Sequence, residues 1–126
     1  MRAHILVGAA LAAFASPAAA QSMNAEAFHR QATALQKKGA MAVFSMSKIK
    51  ALAAEGRAAS LKARETRLAA VAAGKAPRYC PPEGPQKMDS SEFMSLLSAI
   101  PAQQRASIDM TEAVIRMLAR KYPCRA

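Results

Sequence analysis

Apolar positions along this chain recur at intervals of three and four residues and nowhere alternate long enough to make a strand, so the pattern predicts an all-α protein. Phe28, Ala32 and Leu35 share one helical face, and Asn24 stands where it can cap the helix that carries them. Two continuations are open at Gly39. If the helix passes through, Ala42, Val43, Met46, Ile49 and Ala53 extend its stripe; if it breaks, Met41, Phe44 and Leu52 make a different one. Either register leaves a large apolar residue on a second face, as in a helix covered from more than one side. Residues 57–73 form a helix by propensity, with Leu61, Leu68 and Val71 as its apolar line. Gly39, Gly56 and Gly74 each follow a helical stretch and are read as C-terminal stops. Pro77, Pro81, Pro82, Pro85 and Pro101 interrupt any helix that reaches them.

The second half repeats one device. Asp89 precedes Glu92 by three residues, the spacing of a reciprocal cap, and opens a short helix through Phe93, Leu96, Leu97 and Ile100 that Pro101 ends. Asp109 and Glu112 repeat the spacing, with Ile108 as a hydrophobic staple, and the last helix lines up Met110, Val114, Met117, Leu118 and Tyr122. The expectation is a small domain of four to five helices.

The first 20 residues read differently. Arg2 is followed by an apolar stretch from Ile5 to Phe14, then Ser16-Pro17 and the small run Ala18-Ala19-Ala20 before Gln21. This is the tripartite pattern of a secretory signal cleaved after Ala20, and its apolar run is too short for the roughly 20 residues a membrane-spanning helix needs. The expected product is one helical domain over residues 21–126, in the periplasm. Export permits a disulfide, and two cysteines, Cys80 and Cys124, allow one pairing.

Charge is polarised along the chain. The net charge is +10, yet residues 30–78 hold 11 Lys or Arg against Glu55 and Glu65 alone, while residues 79–126 are nearly balanced. In the cytosol such a stretch would point to nucleic acid. In an exported protein it points to an acidic protein, an anionic envelope surface or a cell-wall polymer, with a merely solubilising basic face as the plain alternative. Arg64 lies three residues after Leu61 and four before Leu68, with Arg57 one heptad earlier, so basic and apolar side chains share a stripe. Arg57 and Arg64 are therefore the candidate partner-binding residues, the alternative being long side chains lying along the edge of the core.

Candidate chemistry is sparse. His29 is the one histidine beyond the signal, and both cysteines are assigned to the bridge, so nucleophilic triads lack their parts. No cluster has metal-ligand spacing, and the seven methionines outside the signal are scattered among helical core positions as adaptable filling. Asp89, Glu92, Asp109 and Glu112 have capping roles. No catalytic residue, metal or cofactor is assigned, and a binding protein is favoured over an enzyme.

From Tyr79 to Cys124 the chain reads Tyr79-Cys80-Pro81-Pro82, an acid-capped helix ending near Ile100-Pro101, a connector, a final amphipathic helix, and Tyr122-Pro123-Cys124. This segment, residues 79–124, resembles the Rap/Tai family of type VI secretion immunity proteins. Members commonly carry a further cysteine pair in the N-terminal half, where residues 21–78 here have none. The resemblance implies a small periplasmic helical protein, a homodimer, that blocks a peptidoglycan amidase effector by occluding its active site; a basic inhibitor suits an acidic effector. The competing expectation is a periplasmic stress chaperone, or a basic protein that binds the envelope or anionic lipid.

Overall fold

The caps of the first and last helices, Asn24 and Asp109, lie side by side, bridged by main-chain hydrogen bonds from Ala25 N to Ile108 O (3.0 Å) and from Met110 N to Met23 O (2.7 Å). The structure, a computed structural model, describes residues 22–125; the signal expected over residues 1–20 lies outside them. Among the described residues the fold is all-α, with five α-helices, one 3-10 helix and no strand.

Helix α1 (Ala25–Lys37) begins as its sequence predicts, Asn24 Oδ1 accepting from Ala27 N–H at 3.0 Å. Gly39 then takes a left-handed φ of 54°, which glycine adopts without steric cost. A 3-10 helix (Gly39–Ser45) follows and leads into α2 (Met46–Ala72). The chain therefore breaks at Gly39, but the stripe expected for that case does not form. Leu52 is buried while Met41 and Phe44 stand in solvent, because three residues per turn over Gly39–Ser45 carry those side chains out of phase with α2.

Gly56 is not a stop. Helix α2 runs through it unbroken for 27 residues, joining what the sequence divides in two. A glycine costs a helix interior only about 1 kcal/mol, and the Ala, Leu, Lys and Arg on both sides outweigh it. Gly74 does stop the helix. With φ at 72°, it directs its N–H to Val71 O and the N–H of Lys75 to Ala70 O, closing two of the open carbonyls in a Schellman motif.

Helix α3 (Ser90–Ala99) and the one-turn α4 (Ala102–Arg105) lead to α5 (Met110–Lys121), the centre of the molecule. Met110, Ala113, Val114, Ile115 and Met117 of α5 are all buried, so the helix is covered on more than one side. Helix α2 packs against it and buries Leu52, Ala59 and Ala63; the two alanines are wholly buried, and their small size lets helices approach closely. Phe28 of α1 meets Phe93 of α3 with ring centroids 5.8 Å apart.

The caps of α3 and α5 work in one direction only. Asp89 and Asp109 each accept from the N–H three residues on, at 2.8 Å, but the glutamates face cations instead of returning the bond. Glu92 holds Lys121 at 2.6 Å, and Glu112 holds Arg78 at 2.6 Å and Arg116 at 3.0 Å. A full ion pair offers a carboxylate more than one neutral N–H does. The expected Cys80–Cys124 disulfide closes behind α5, and Cys80 N also donates to Tyr122 O at 2.9 Å.

Candidate interaction surface

Helix α2 presents two opposed faces. The inner one is small and buried, through Ala59 and Ala63; the outer one carries Arg57, Leu61, Arg64, Leu68 and Val71 at alternating steps of four and three. Leu61 is 60% exposed, Leu68 47% and Val71 53%, so the predicted apolar line of this segment is not part of the core. Arg57 and Arg64 lie on the same outer face, both exposed. The helix is apolar on both sides, as one covered twice would be, yet the described residues bury only one of them.

The rest of the well-exposed large apolar side chains, among the described residues, sit at the other end of α2 and on the 3-10 helix: Met41, Val43, Phe44 and Met46. The helical periodicity divides them between two core registers, and they belong to neither. At a rise of about 1.5 Å per residue, Met46 and Arg57, the nearest members of the two patches, are separated by roughly 16 Å of helix, so the patches are centred on opposite ends of α2.

Both patches are mainly cationic, with Glu65 beside Arg64 as the exception, and five of the eight acids are engaged elsewhere. Glu26, Glu92 and Glu112 are held in ion pairs with Arg105, Lys121 and Arg78, and Asp89 and Asp109 cap helices. Lys48, Lys50, Arg57 and Arg64 make no ion pair among the described residues. Their charge is free to act on something outside the chain.

Two clefts flank the crossing of α2. One, of about 230 Å³, lies between α2, residues 75–79 and Ile115, with Arg67 and Lys75 in its lining. Arg67 places its guanidinium 5.5 Å from the centre of the buried Tyr79 ring, and its Nε is buried without an acceptor among the described residues. The other, of about 360 Å³, is a groove between α1 and α2 with Leu35 and Leu52 in its lining and Lys38, Lys48 and Glu55 beside them.

The polar groups of the site elements explain structure more readily than reaction. His29 Nε2 lies 3.0 Å from Ser98 Oγ, a pair that sequence reading does not foresee. Burial, and then the charge of Arg105, hold the imidazole below its ordinary pKa. A base beside a hydroxyl is half of a nucleophilic device, but neither residue lines either of these two clefts. Hydrogen bonding from Arg105 keeps the Glu26 carboxyl below the usual range, and Arg78 does the same for Glu112. No three His, Cys, Asp or Glu residues gather as metal ligands among the described residues.

Arg105 is the structural residue that sequence reading misses. Its side chain is 8% exposed; Nε donates to Glu26 Oε2 at 2.7 Å, and Nη1 faces the carbonyls of Leu97, Ser98 and Ile100 at the end of α3. Nothing in its neighbourhood, Gln103-Gln104-Arg105-Ala106, distinguishes it from a solvated arginine.

Comparison with protein-family models, with characterised proteins and with solved structures returns no match for this chain.

Proposed function

We propose that this chain is a periplasmic binding protein of the immunity type, which neutralises an exported peptidoglycan amidase by seating on the mouth of its active site, without chemistry of its own. The outer face of α2 is the gripping surface. One observation carries the reading: Leu61, Leu68 and Val71 stand in solvent on one stripe with Arg57 and Arg64, which form no ion pair among the described residues. Exposed apolar side chains bring affinity when a partner covers them, and uncompensated arginines select a partner whose surface is acidic. The Tyr-Cys-Pro and Tyr-Pro-Cys ends of residues 79–124 supply the resemblance on which the immunity class rests.

The test is capture of partners from the envelope of the producing cell, identified by mass spectrometry, followed by reconstitution. The expected result is one dominant acidic hydrolase, bound in fixed stoichiometry and inhibited in peptidoglycan cleavage. Arg64→Glu combined with Leu68→Ser is expected to abolish the complex while leaving the helical content unchanged. A spread of unrelated clients, or a complex indifferent to that double variant, overturns the reading.

A further inference from the structure

The 3-10 helix Gly39–Ser45 contains no buried residue. At the turn between α1 and α2 it lifts Met41, Val43 and Phe44 outward, and Met46 follows at the start of α2; Phe44 is 81% exposed. A phenylalanine so placed adds nothing to the core. Lysines bracket this apolar tip on both sides, Lys37 and Lys38 before it, Lys48 and Lys50 after it, and all four are exposed. The Lys38 ammonium lies 3.0 Å from Ser45 Oγ, which fixes one of these charges at the base of the tip, and Lys38 and Lys48 share the lining of the groove behind it. No acid occurs anywhere from residue 27 to residue 54.

We infer that this tip docks on an anionic lipid bilayer, with Phe44, Met41 and Val43 entering the interface and the lysines at the depth of the headgroup phosphates. A short convex apolar cap ringed by cations suits a bilayer, which receives it without a matching concavity and offers negative charge at the level of the ring. A second copy of the chain does not suit it, because two tips brought together would oppose lysines with no acid between them. The inference goes beyond the proposed immunity function and uses the opposite end of α2 from Arg64 and Leu68.

The experiment is co-sedimentation of the purified protein with phosphatidylglycerol–phosphatidylcholine vesicles and with phosphatidylcholine vesicles alone. Binding is expected only to the former and is expected to weaken as salt rises. Phe44→Asp is expected to reduce it by at least about tenfold, the worth of burying one such side chain. Lys48→Glu with Lys50→Glu is expected to reduce it further, by roughly fivefold or more for each lysine, while Leu68→Ser leaves it unchanged. The chain contains no tryptophan, so Phe44→Trp supplies a direct reporter, expected to shift to the blue and be quenched by brominated lipid.

Unshifted tryptophan emission from the vesicle-bound Phe44→Trp variant overturns the inference. So does undiminished binding by Phe44→Asp, which would assign the membrane contact to another segment. Displacement by inorganic phosphate beyond that by chloride at equal ionic strength would reveal a phosphate-ion site, not a bilayer contact. Loss of the effector complex in Phe44→Asp with vesicle binding intact would give the tip to a protein partner. A failure of Arg64→Glu with Leu68→Ser to affect effector capture bears on the immunity reading alone.

Discussion

Arg105 Nε lies 2.7 Å from Glu26 Oε2, joining the one-turn helix α4 to the first turn of α1 across 79 residues of sequence. The same guanidinium faces the open carbonyls at the end of α3, so one buried cation fixes three helices. Its removal strands several acceptors at once. Arg105→Ala is expected to cost about 3 kcal/mol of unfolding free energy, measured by urea titration. Arg105→Lys is expected to recover only part of this, because an ammonium cannot reproduce the planar fork.

The clasp contributes through the unfolded chain. Cys80 and Cys124 are separated by 44 residues, and closing a loop of that length removes about 4 kcal/mol of unfolded-state freedom in the chain-entropy model. Cys80→Ser with Cys124→Ser is expected to lose stability of that order, and dithiothreitol is expected to lower the urea midpoint of the parent to that of the double variant.

Acid is expected to loosen the fold in two steps. His29 has a lowered pKa when folded, so the unfolded chain binds the proton more readily; stability is full above about 6.5 and falls as pH drops through the folded value. Glu26 and Glu112 are also lowered, and their contributions, present above the ordinary carboxylate pKa, are lost as pH falls through their folded values. Urea midpoints measured from neutral to acid pH check both steps. His29→Gln is expected to remove the first and leave the second.

The two faces of α2 are expected to respond oppositely to substitution. Leu61→Ser and Leu68→Ser, on the exposed stripe, are expected to change stability by less than about 0.5 kcal/mol each. Ala63→Leu, on the wholly buried face against α5, is expected to cost about 1–3 kcal/mol through overpacking. Thermal unfolding followed by circular dichroism distinguishes them.

Gly56 offers the reverse case. It sits in the interior of α2 without a left-handed φ, and a Cβ built there would meet only Phe93 Cζ at 3.9 Å, an ordinary contact. Gly56→Ala is expected to stabilise the protein by about 1 kcal/mol, readable as a raised melting temperature.

The parts of this fold legible in the sequence are those written in local chemistry. Asn24, Asp89 and Asp109 announce the helix starts they cap, Gly74 the end of α2, and Pro101 the end of α3, because each acts on backbone within a few residues. Gly56 misleads since a stop glycine and a tolerated one differ only in φ, which long-range packing decides. Leu61 and Phe44 look like core residues because periodicity reports that a face is apolar, not whether anything covers it. Arg105 is illegible for a related reason: its acceptors come from α3 and its counter-ion from α1. Arg57 and Arg64 are legible through their register with Leu61 and Leu68, and that register is the stripe found on the outside of α2.

The central position of α5 imposes an order on how the molecule is made. The helix against which α2 closes leaves the ribosome after every other described helix, and its anchoring cysteine, Cys124, follows it. Until that stretch arrives the earlier helices lack their main apolar partner, so the nascent chain cannot close its core during synthesis. Truncation ahead of Cys124 would remove the clasp and leave the central helix untethered.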